Sequence, residues 1–112
     1  MPVKVILLSG SIAAGATWTQ VTSVTVPAGQ RWTVQEIRLL TTADDVGVRI
    51  ITRMGAAFET MVDTTGRVSN AYKLPLPVSF TVDAGGTIAV ECSNPTSATQ
   101  TVYIEVVYST GT

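Results

Sequence analysis

The sequence predicts an all-β fold, a sandwich of about eight antiparallel strands in one domain. Of its 112 residues, 18 are threonine and 16 are valine, and these β-branched side chains stiffen extended backbone and pack well on a pleated sheet. Apolar and polar residues alternate in short runs, and turn-forming residues interrupt them about every 8 to 12 positions, as in sandwiches and barrels. A chain of this length has room for one hydrophobic core, so we expect a single domain over residues 1–112.

Nine segments have the composition and alternation of β-strands. They are residues 3–8, 17–26, 31–41, 46–53, 58–63, 68–74, 77–82, 87–93 and 100–108. Turn sequences separate them, among them Pro27-Ala28-Gly29-Gln30 and Asp83-Ala84-Gly85-Gly86, in which glycine makes positive φ available. Because Pro75 and Pro77 have no backbone N–H to donate, we expect their segment at the edge of a sheet.

The two halves of the chain resemble each other. Residues 26–34 match residues 82–90 at an offset of 56, half the chain length. The same offset pairs apolar positions of successive strands: Val24 with Phe80, Val46 with Val102, Val48 with Ile104 and Ile50 with Val106. Two related four-stranded halves fit the two Greek keys of a jelly roll. The sequence therefore predicts a jelly-roll-like β-sandwich with two pseudo-repeated halves.

The period of two along each strand assigns side chains to the core. The expected inward positions are Val24, Val26, Val46, Val48, Ile50, Val78, Phe80, Val82, Ile88, Val90, Cys92, Val102, Ile104, Val106 and Tyr108. In residues 31–41 the phase changes between Val34 and Ile37. A β-bulge near Gln35-Glu36 would join the two parts of that strand.

The outer faces are not fully polar. Three outward positions have apolar side chains: Ile51, Tyr103 and Val107. The first strand adds either Ile6 and Leu8 or Val5 and Leu7, depending on its phase. Apolar residues on the outside of a sandwich need cover, and a subunit interface would supply it. We therefore expect a homo-oligomer in which Ile51, Tyr103 and Val107 lie at the interface.

The sequence lacks the residues that most enzymes and metal sites use. It contains no histidine and one cysteine, Cys92, so it has no imidazole base and too few thiols for a disulfide or a metal cluster. Phosphate-binding loops, hydrolase elbows and zinc-helix motifs are also missing. We interpret Asp44-Asp45 as turn residues rather than calcium ligands, and Cys92 as a small buried hydrophobe. The sequence predicts a protein without enzyme activity, cofactor or metal.

Four arginines lie close together in the sequence: Arg31, Arg38, Arg49 and Arg53. Because Glu36 lies among them and the net charge is -1, we expect ion pairs across strands or between subunits, and no nucleic-acid partner.

Trp18 and Trp32 each precede or begin a predicted strand. At such a position an aromatic side chain more often closes the end of a sandwich than binds a ligand. Stacking on a sugar ring or a base is the alternative, and for a sugar Gln20 would supply a polar group beside Trp18.

The amino-terminal segment, residues 1–16, is expected to act as a strand or as an arm that contacts partner molecules. Its apolar run, residues 5–8, is shorter than the roughly 7 to 15 residues of a signal-peptide core and the roughly 18 to 20 of a membrane helix. We therefore expect a soluble protein with no signal peptide and no membrane partner. Ser9, Gly10 and Ser11 are expected to end the first strand.

The phrases Val26-Pro27-Ala28-Gly29-Gln30-Arg31-Trp32 and Val82-Asp83-Ala84-Gly85-Gly86-Thr87-Ile88, with the final strand Thr101–Tyr108, resemble the small jelly-roll virion proteins of viruses, especially tailed bacteriophages. The resemblance implies a capsid decoration or cement protein, commonly a trimer seated on the shell, or a head-fibre or tail-tip domain. The long flexible arm that many cement proteins use to lace capsomers is missing from this chain.

We therefore expect a structural virion protein, a trimer by this resemblance, that binds the major capsid protein at the capsid surface and stabilises the shell. Small and flexible residues suit such contacts, and the expected contact residues are Ser9, Gly10, Ser11, Met54 and Gly55. The alternative function is a glycan- or receptor-binding jelly-roll module of a head fibre or tail tip. The fold by itself does not separate the two.

Overall fold

The computed structural model describes residues 3–43, 45–63 and 74–111, and this part of the chain forms eight antiparallel strands. They are β1 (Val3–Ile12), β2 (Thr19–Thr25), β3 (Arg31–Thr41), β4 (Gly47–Met54), β5 (Ala57–Asp63), β6 (Leu74–Asp83), β7 (Thr87–Ser93) and β8 (Gln100–Gly111). The predicted segment 68–74 lies outside the described residues except for Leu74, which begins β6. That strand also takes in the predicted segment 77–82.

The strands form two four-stranded sheets with jelly-roll connectivity. Sheet A has the order β1-β8-β3-β6, and sheet B has the order β2-β7-β4-β5. The two sheet orders are related by a shift of four strands. Adding four to each strand number of sheet A, with the count continuing from β8 to β1, gives β5-β4-β7-β2, which is sheet B in reverse order. This relation is expected for two related halves. The predicted jelly-roll-like sandwich is confirmed. Pro75 and Pro77 lie on β6, at the predicted sheet edge.

The repeated turn sequences adopt the same backbone conformation. Gly29 and Gly85 occupy equivalent positions in the turns 27–30 and 83–86, with φ of 79° and 85°, a region that glycine enters without steric cost. The two turns meet at one end of the sandwich. There Val26 exchanges two backbone hydrogen bonds with the second turn, of 2.8 and 2.9 Å. The similarity between residues 26–34 and 82–90 therefore reflects two turns that have the same backbone conformation and lie against each other.

The core lies between the two sheets and contains the predicted inward residues. Twelve of the fifteen are buried, and Val24, Val78 and Phe80 are partly buried and pack against them. The predicted bulge on β3 lies between Val34 and Glu36. It shifts the register by one residue, so Val34 and Ile37 both point inward and are fully buried.

The first strand is longer than predicted. Ser9, Gly10 and Ser11 do not end it. Instead, β1 continues to Ile12, which is 1% exposed in the core. At Gly10 the strand passes very close to Val21, because an added Cβ would lie 2.8 Å from the Val21 carbonyl oxygen. Glycine here allows the close approach of β1 and β2.

Candidate binding surfaces

The three predicted interface residues do not share one surface. Tyr103 and Val107 lie on the outer face of sheet A, whereas Ile51 lies on the outer face of sheet B. Tyr103 is 39% exposed, but Val107 is 9% and Ile51 only 4% exposed. Neighbouring side chains of the same chain therefore already cover two of the three residues. The role of these residues in an oligomer stays a prediction.

The outer face of sheet A has an exposed apolar row on β1. Leu8 points into the core, so the outward residues of this strand are Val3, Val5 and Leu7. We call these three residues the β1 row. They are 58%, 55% and 63% exposed, respectively. Val5 lies opposite Val107 on β8, so the apolar surface extends onto the neighbouring strand.

The predicted capsid-contact residues lie toward opposite ends of the molecule. Ser9, Gly10 and Ser11 pair with residues 101–103, in the half of β8 that follows the loop 94–99. Met54 and Gly55 form the β4–β5 hairpin beside the turn 83–86, at the other end. Met54 is 47% exposed. These two groups of residues therefore belong to different surfaces.

Each of the four arginines forms an ion pair with a carboxylate of the same chain. The pairs are Arg31 with Asp83 (2.8 Å), Arg38 with Glu36 and with Glu105 (3.5 Å), Arg49 with Asp63 (3.1 Å) and Arg53 with Glu91 (3.4 Å). The cross-strand form of the ion-pair prediction is confirmed. Exposed pairs of this kind contribute little to stability, about 0 to 1 kcal/mol each, but they balance the charge on both sheets.

The two tryptophans occupy different environments. Trp32 is buried and stacks on Tyr108, with ring centroids 4.0 Å apart. Trp18 is half-buried beside the start of β4, where the Arg49 guanidinium lies 3.5 Å from its ring centroid. Its φ of 36° is unusual for a residue with a side chain. The ring also lies against Gly47, where an added Cβ would be 2.8 Å from it.

The outer face of sheet B contains an open cleft of about 430 Å³. Its lining includes Ile51 and Arg53 of β4, Phe58 of β5 and Glu91 of β7. Phe58 is 70% exposed and lies opposite Arg53. The sequence analysis did not identify Phe58, because strict alternation puts it on the same face as the inward Val62. A register shift between β4 and β5 reverses that phase.

Asn94 is a second residue whose role the sequence did not reveal. It is fully buried, and its side-chain NH₂ donates to the carbonyl oxygens of Ile12 (3.0 Å), Ala13 (3.2 Å) and Ala98 (2.9 Å). Its side-chain oxygen accepts hydrogen bonds from the backbone N–H and the hydroxyl of Thr96. Asn94 thus ties the end of β1 to the loop between β7 and β8.

Cys92 is fully buried, as predicted. Burial raises the pKa of its thiol from 9.0 to about 12, and the nearby Glu91 carboxylate adds to the effect. The folded protein therefore keeps this proton at alkaline pH, whereas the unfolded chain loses it above about pH 9.

The Cys92 thiol should make stability fall with rising pH between about pH 9 and 12. Its contribution is complete below pH 9, where the thiol is protonated in both states. Above that, the unfolded state binds fewer protons, so the free energy of unfolding decreases by up to about 1.4 kcal/mol per pH unit. Urea denaturation of the wild type and Cys92→Ala at pH 8, 9, 10 and 11 measures this slope. Equal slopes for the two proteins would show that the Cys92 thiol does not cause the decrease in stability.

The described residues contain no group of three or more histidine, cysteine, aspartate or glutamate side chains that could hold a metal ion. Asp44 lies outside them. In the same part of the chain, no helix has the length and apolar character needed to cross a membrane.

No family model matches the chain, and no curated protein matches it. Among solved structures, it is similar to the N-terminal cellulose-binding domain of β-1,4-glucanase C from Cellulomonas fimi. The TM-score is 0.51 at 20% identity, over 95% of this chain and 79% of that one. It is also similar to a chain in the structure of infectious bursal disease virus, Gt strain, with a TM-score of 0.56 at 9% identity, over 97% of this chain and 32% of that one.

The present chain therefore spans about a third of the length of the viral chain. At these identities the similarity concerns the fold alone. It supports the β-sandwich, and it extends to a virus structure without singling out tailed bacteriophages.

Proposed function

We propose that the chain is a non-enzymatic structural protein of a virion, which self-associates and attaches to the capsid surface. The observation that carries this proposal is the β1 row on the outer face of sheet A. Three large apolar side chains at alternate positions are each more than half exposed. Contiguous exposed apolar surface on a small domain usually marks a contact with another molecule.

The β1 row suits a face-to-face contact rather than the addition of another strand. Lys4 alternates with the row on the same edge strand and is exposed. A charged side chain at a sheet edge disfavours edge-to-edge pairing, which would otherwise lead to open-ended assembly. A contact through the face keeps the backbone ladder intact and buries Val3, Val5 and Leu7 together.

A trimer is the oligomer that the resemblance to virion proteins implies. A cyclic trimer joins two different patches of neighbouring subunits. The outer face of sheet A would supply one of them. The exposed hairpin at Met54 and Gly55 is then available for the capsid. Several weak contacts on one rigid oligomer give a tight attachment, because each contact after the first forms at high effective concentration.

The arginine ion pairs favour a protein partner over a nucleic acid. Phosphate contacts need basic side chains that meet the backbone in a patch of net positive charge. Here Arg31, Arg38, Arg49 and Arg53 each lie within 4 Å of a carboxylate.

Binding to capsids stripped of this protein tests the proposal. Wild-type protein should co-sediment with them and raise their disruption temperature. Leu7→Glu, which places a charge in the β1 row, should weaken this binding at least ten-fold because it disrupts the oligomer. Ser23→Glu, which places the same charge at an exposed position of β2 on the other sheet, serves as the control. Equal binding by Leu7→Glu and wild type would contradict the role of the β1 row.

A second candidate function is a glycan- or receptor-binding module. The cleft on the outer face of sheet B favours it, because an exposed aromatic ring there adjoins an ion pair with hydrogen-bonding capacity. The Cellulomonas fimi domain, whose name states that it binds cellulose, has a similar fold. We rank this function second, since a fold is compatible with many activities.

A further inference from the structure

We propose that the outer face of sheet B binds an uncharged oligosaccharide along strand β4. The site extends from Trp18, past Arg49, Ile51 and Arg53, to Phe58, and we call it the β4 face. This inference rests on the second candidate function and supplies its site and ligand class. It does not depend on attachment to a capsid.

The β4 face presents an elongated surface rather than a closed pocket. Arg49, Ile51 and Arg53 point outward from alternate positions of β4, so they form a straight row. From Gly47, which contacts Trp18, to Arg53 the strand advances about 20 Å at about 3.3 Å per residue. An open cleft of about 430 Å³ lies at the Phe58 end, within the usual volume range of ligand sites. This shape fits an extended chain of several rings.

An aromatic side chain lies at each end of the row. Phe58 is 70% exposed and is not among the hydrophobic side chains that pack against the core of the described residues. Its ring offers an apolar surface for the C–H face of a pyranose. Trp18 lies at the opposite end in a left-handed backbone conformation, with its ring against Arg49. Strained backbone of this kind often occurs at ligand sites.

Among the described residues of the β4 face, the positive and negative charges are balanced. Arg49 pairs with Asp63, and Arg53 pairs with Glu91, so two cations face two carboxylates. A phosphate, sulfate or carboxylate ligand would meet Asp63 and Glu91 together with the arginines, and an ammonium ligand would meet the arginines. The β4 face therefore favours neither an anionic nor a cationic ligand. The balance of charge therefore points to a neutral ligand.

The same ion pairs supply hydrogen-bonding groups for sugar hydroxyls. A guanidinium has five N–H donors, more than one carboxylate can accept, and a carboxylate has four acceptor sites. A hydroxyl both donates and accepts, so it can bridge Arg53 and Glu91, which are 3.4 Å apart. Both residues lie on inner strands of sheet B, and a rigid scaffold lowers the entropy lost on binding.

Calorimetric titration of the full chain tests the proposal. The neutral probes are cellohexaose, mannohexaose and xylohexaose, and a heparin hexasaccharide is the anionic probe. We expect at least one neutral hexasaccharide to bind and the heparin probe to bind at least ten-fold more weakly. Phe58→Ala should weaken binding at least ten-fold and Glu91→Gln several-fold. Phe58→Trp should retain it. Ser79→Ala, at an exposed position of β6 in the other sheet and outside the β1 row, is the control and should bind as the wild type does.

Each part of the proposal has its own contrary outcome. If no neutral hexasaccharide binds, the glycan-binding function is wrong, while the capsid test above is unaffected. If a neutral hexasaccharide binds but Phe58→Ala and Glu91→Gln bind it as tightly as the wild type, the function holds and the β4 face is the wrong site. Preference for the heparin probe would overturn the uncharged ligand. Far-UV circular dichroism of Phe58→Ala checks that this exposed substitution leaves the fold intact.

Discussion

Replacing Asn94 by alanine is expected to lower the free energy of unfolding by about 3 to 5 kcal/mol. The change removes three donated and two accepted hydrogen bonds at a fully buried position. Each buried polar group left without a partner costs about 1 to 3 kcal/mol, and water reaches part of this loop. For a domain of this size the midpoint temperature should fall by about 10 to 20 °C.

Two further variants show which part of Asn94 matters. Asn94→Asp keeps the shape and the acceptor oxygens but removes the NH₂ donors, so it should be as unstable as Asn94→Ala at pH 7. Ser97→Ala, in the exposed part of the same loop, should change stability by less than about 0.5 kcal/mol. Thermal unfolding followed by circular dichroism measures all three. A loss of under about 1 kcal/mol for Asn94→Ala would show that the loop holds without this residue.

The second large effect concerns self-association through the β1 row. Sedimentation equilibrium of the wild type at micromolar concentration should give a mass near three times 11.8 kDa. Leu7→Glu should give a mass near 11.8 kDa, because burying an unpaired charge at a subunit contact is strongly unfavourable. Ser23→Glu, with the same charge at an exposed position of β2, should sediment as the wild type does.

The choice of Leu7 follows from its exposure. Leu7 is 63% exposed, so a glutamate there remains in water in the isolated subunit. Val107, by contrast, is 9% exposed and lies between Val5 and Glu36 on the neighbouring strands. A charge at Val107 would disturb the subunit itself, and the measured mass would not separate folding from assembly. A wild-type monomer at every accessible concentration would contradict self-association.

The features predicted well from the sequence are those that depend on neighbouring residues in the chain. Alternation located the strands and the core, since side-chain direction repeats every two residues. The phase change in residues 31–41 located the bulge, and Pro75 and Pro77 marked an edge strand. The similarity of the two halves at an offset of 56 residues corresponded to a feature of the fold, because Gly29 and Gly85 form the same kind of turn.

The features that were missed depend on contacts between distant parts of the chain. Ser9, Gly10 and Ser11 were predicted to end the first strand. That prediction was wrong because a glycine is needed at position 10 for the close approach to Val21, which lies in the other sheet. The role of Asn94 was not predicted because Ile12, one of its main partners, is 82 positions away in the chain. Alternation also says nothing about which sheet a strand joins, so Ile51 and Tyr103 were placed together although they lie on opposite faces.

Co-sedimentation with stripped capsids is the most direct test of the central proposal. Purified wild-type protein, added to capsids that lack it, should bind saturably, with a stoichiometry set by the symmetry of the shell, and Leu7→Glu should bind at least ten-fold more weakly. Absence of saturable binding by a correctly folded wild-type protein would contradict capsid attachment. Binding to a neutral hexasaccharide in that same preparation would then make glycan recognition the leading function.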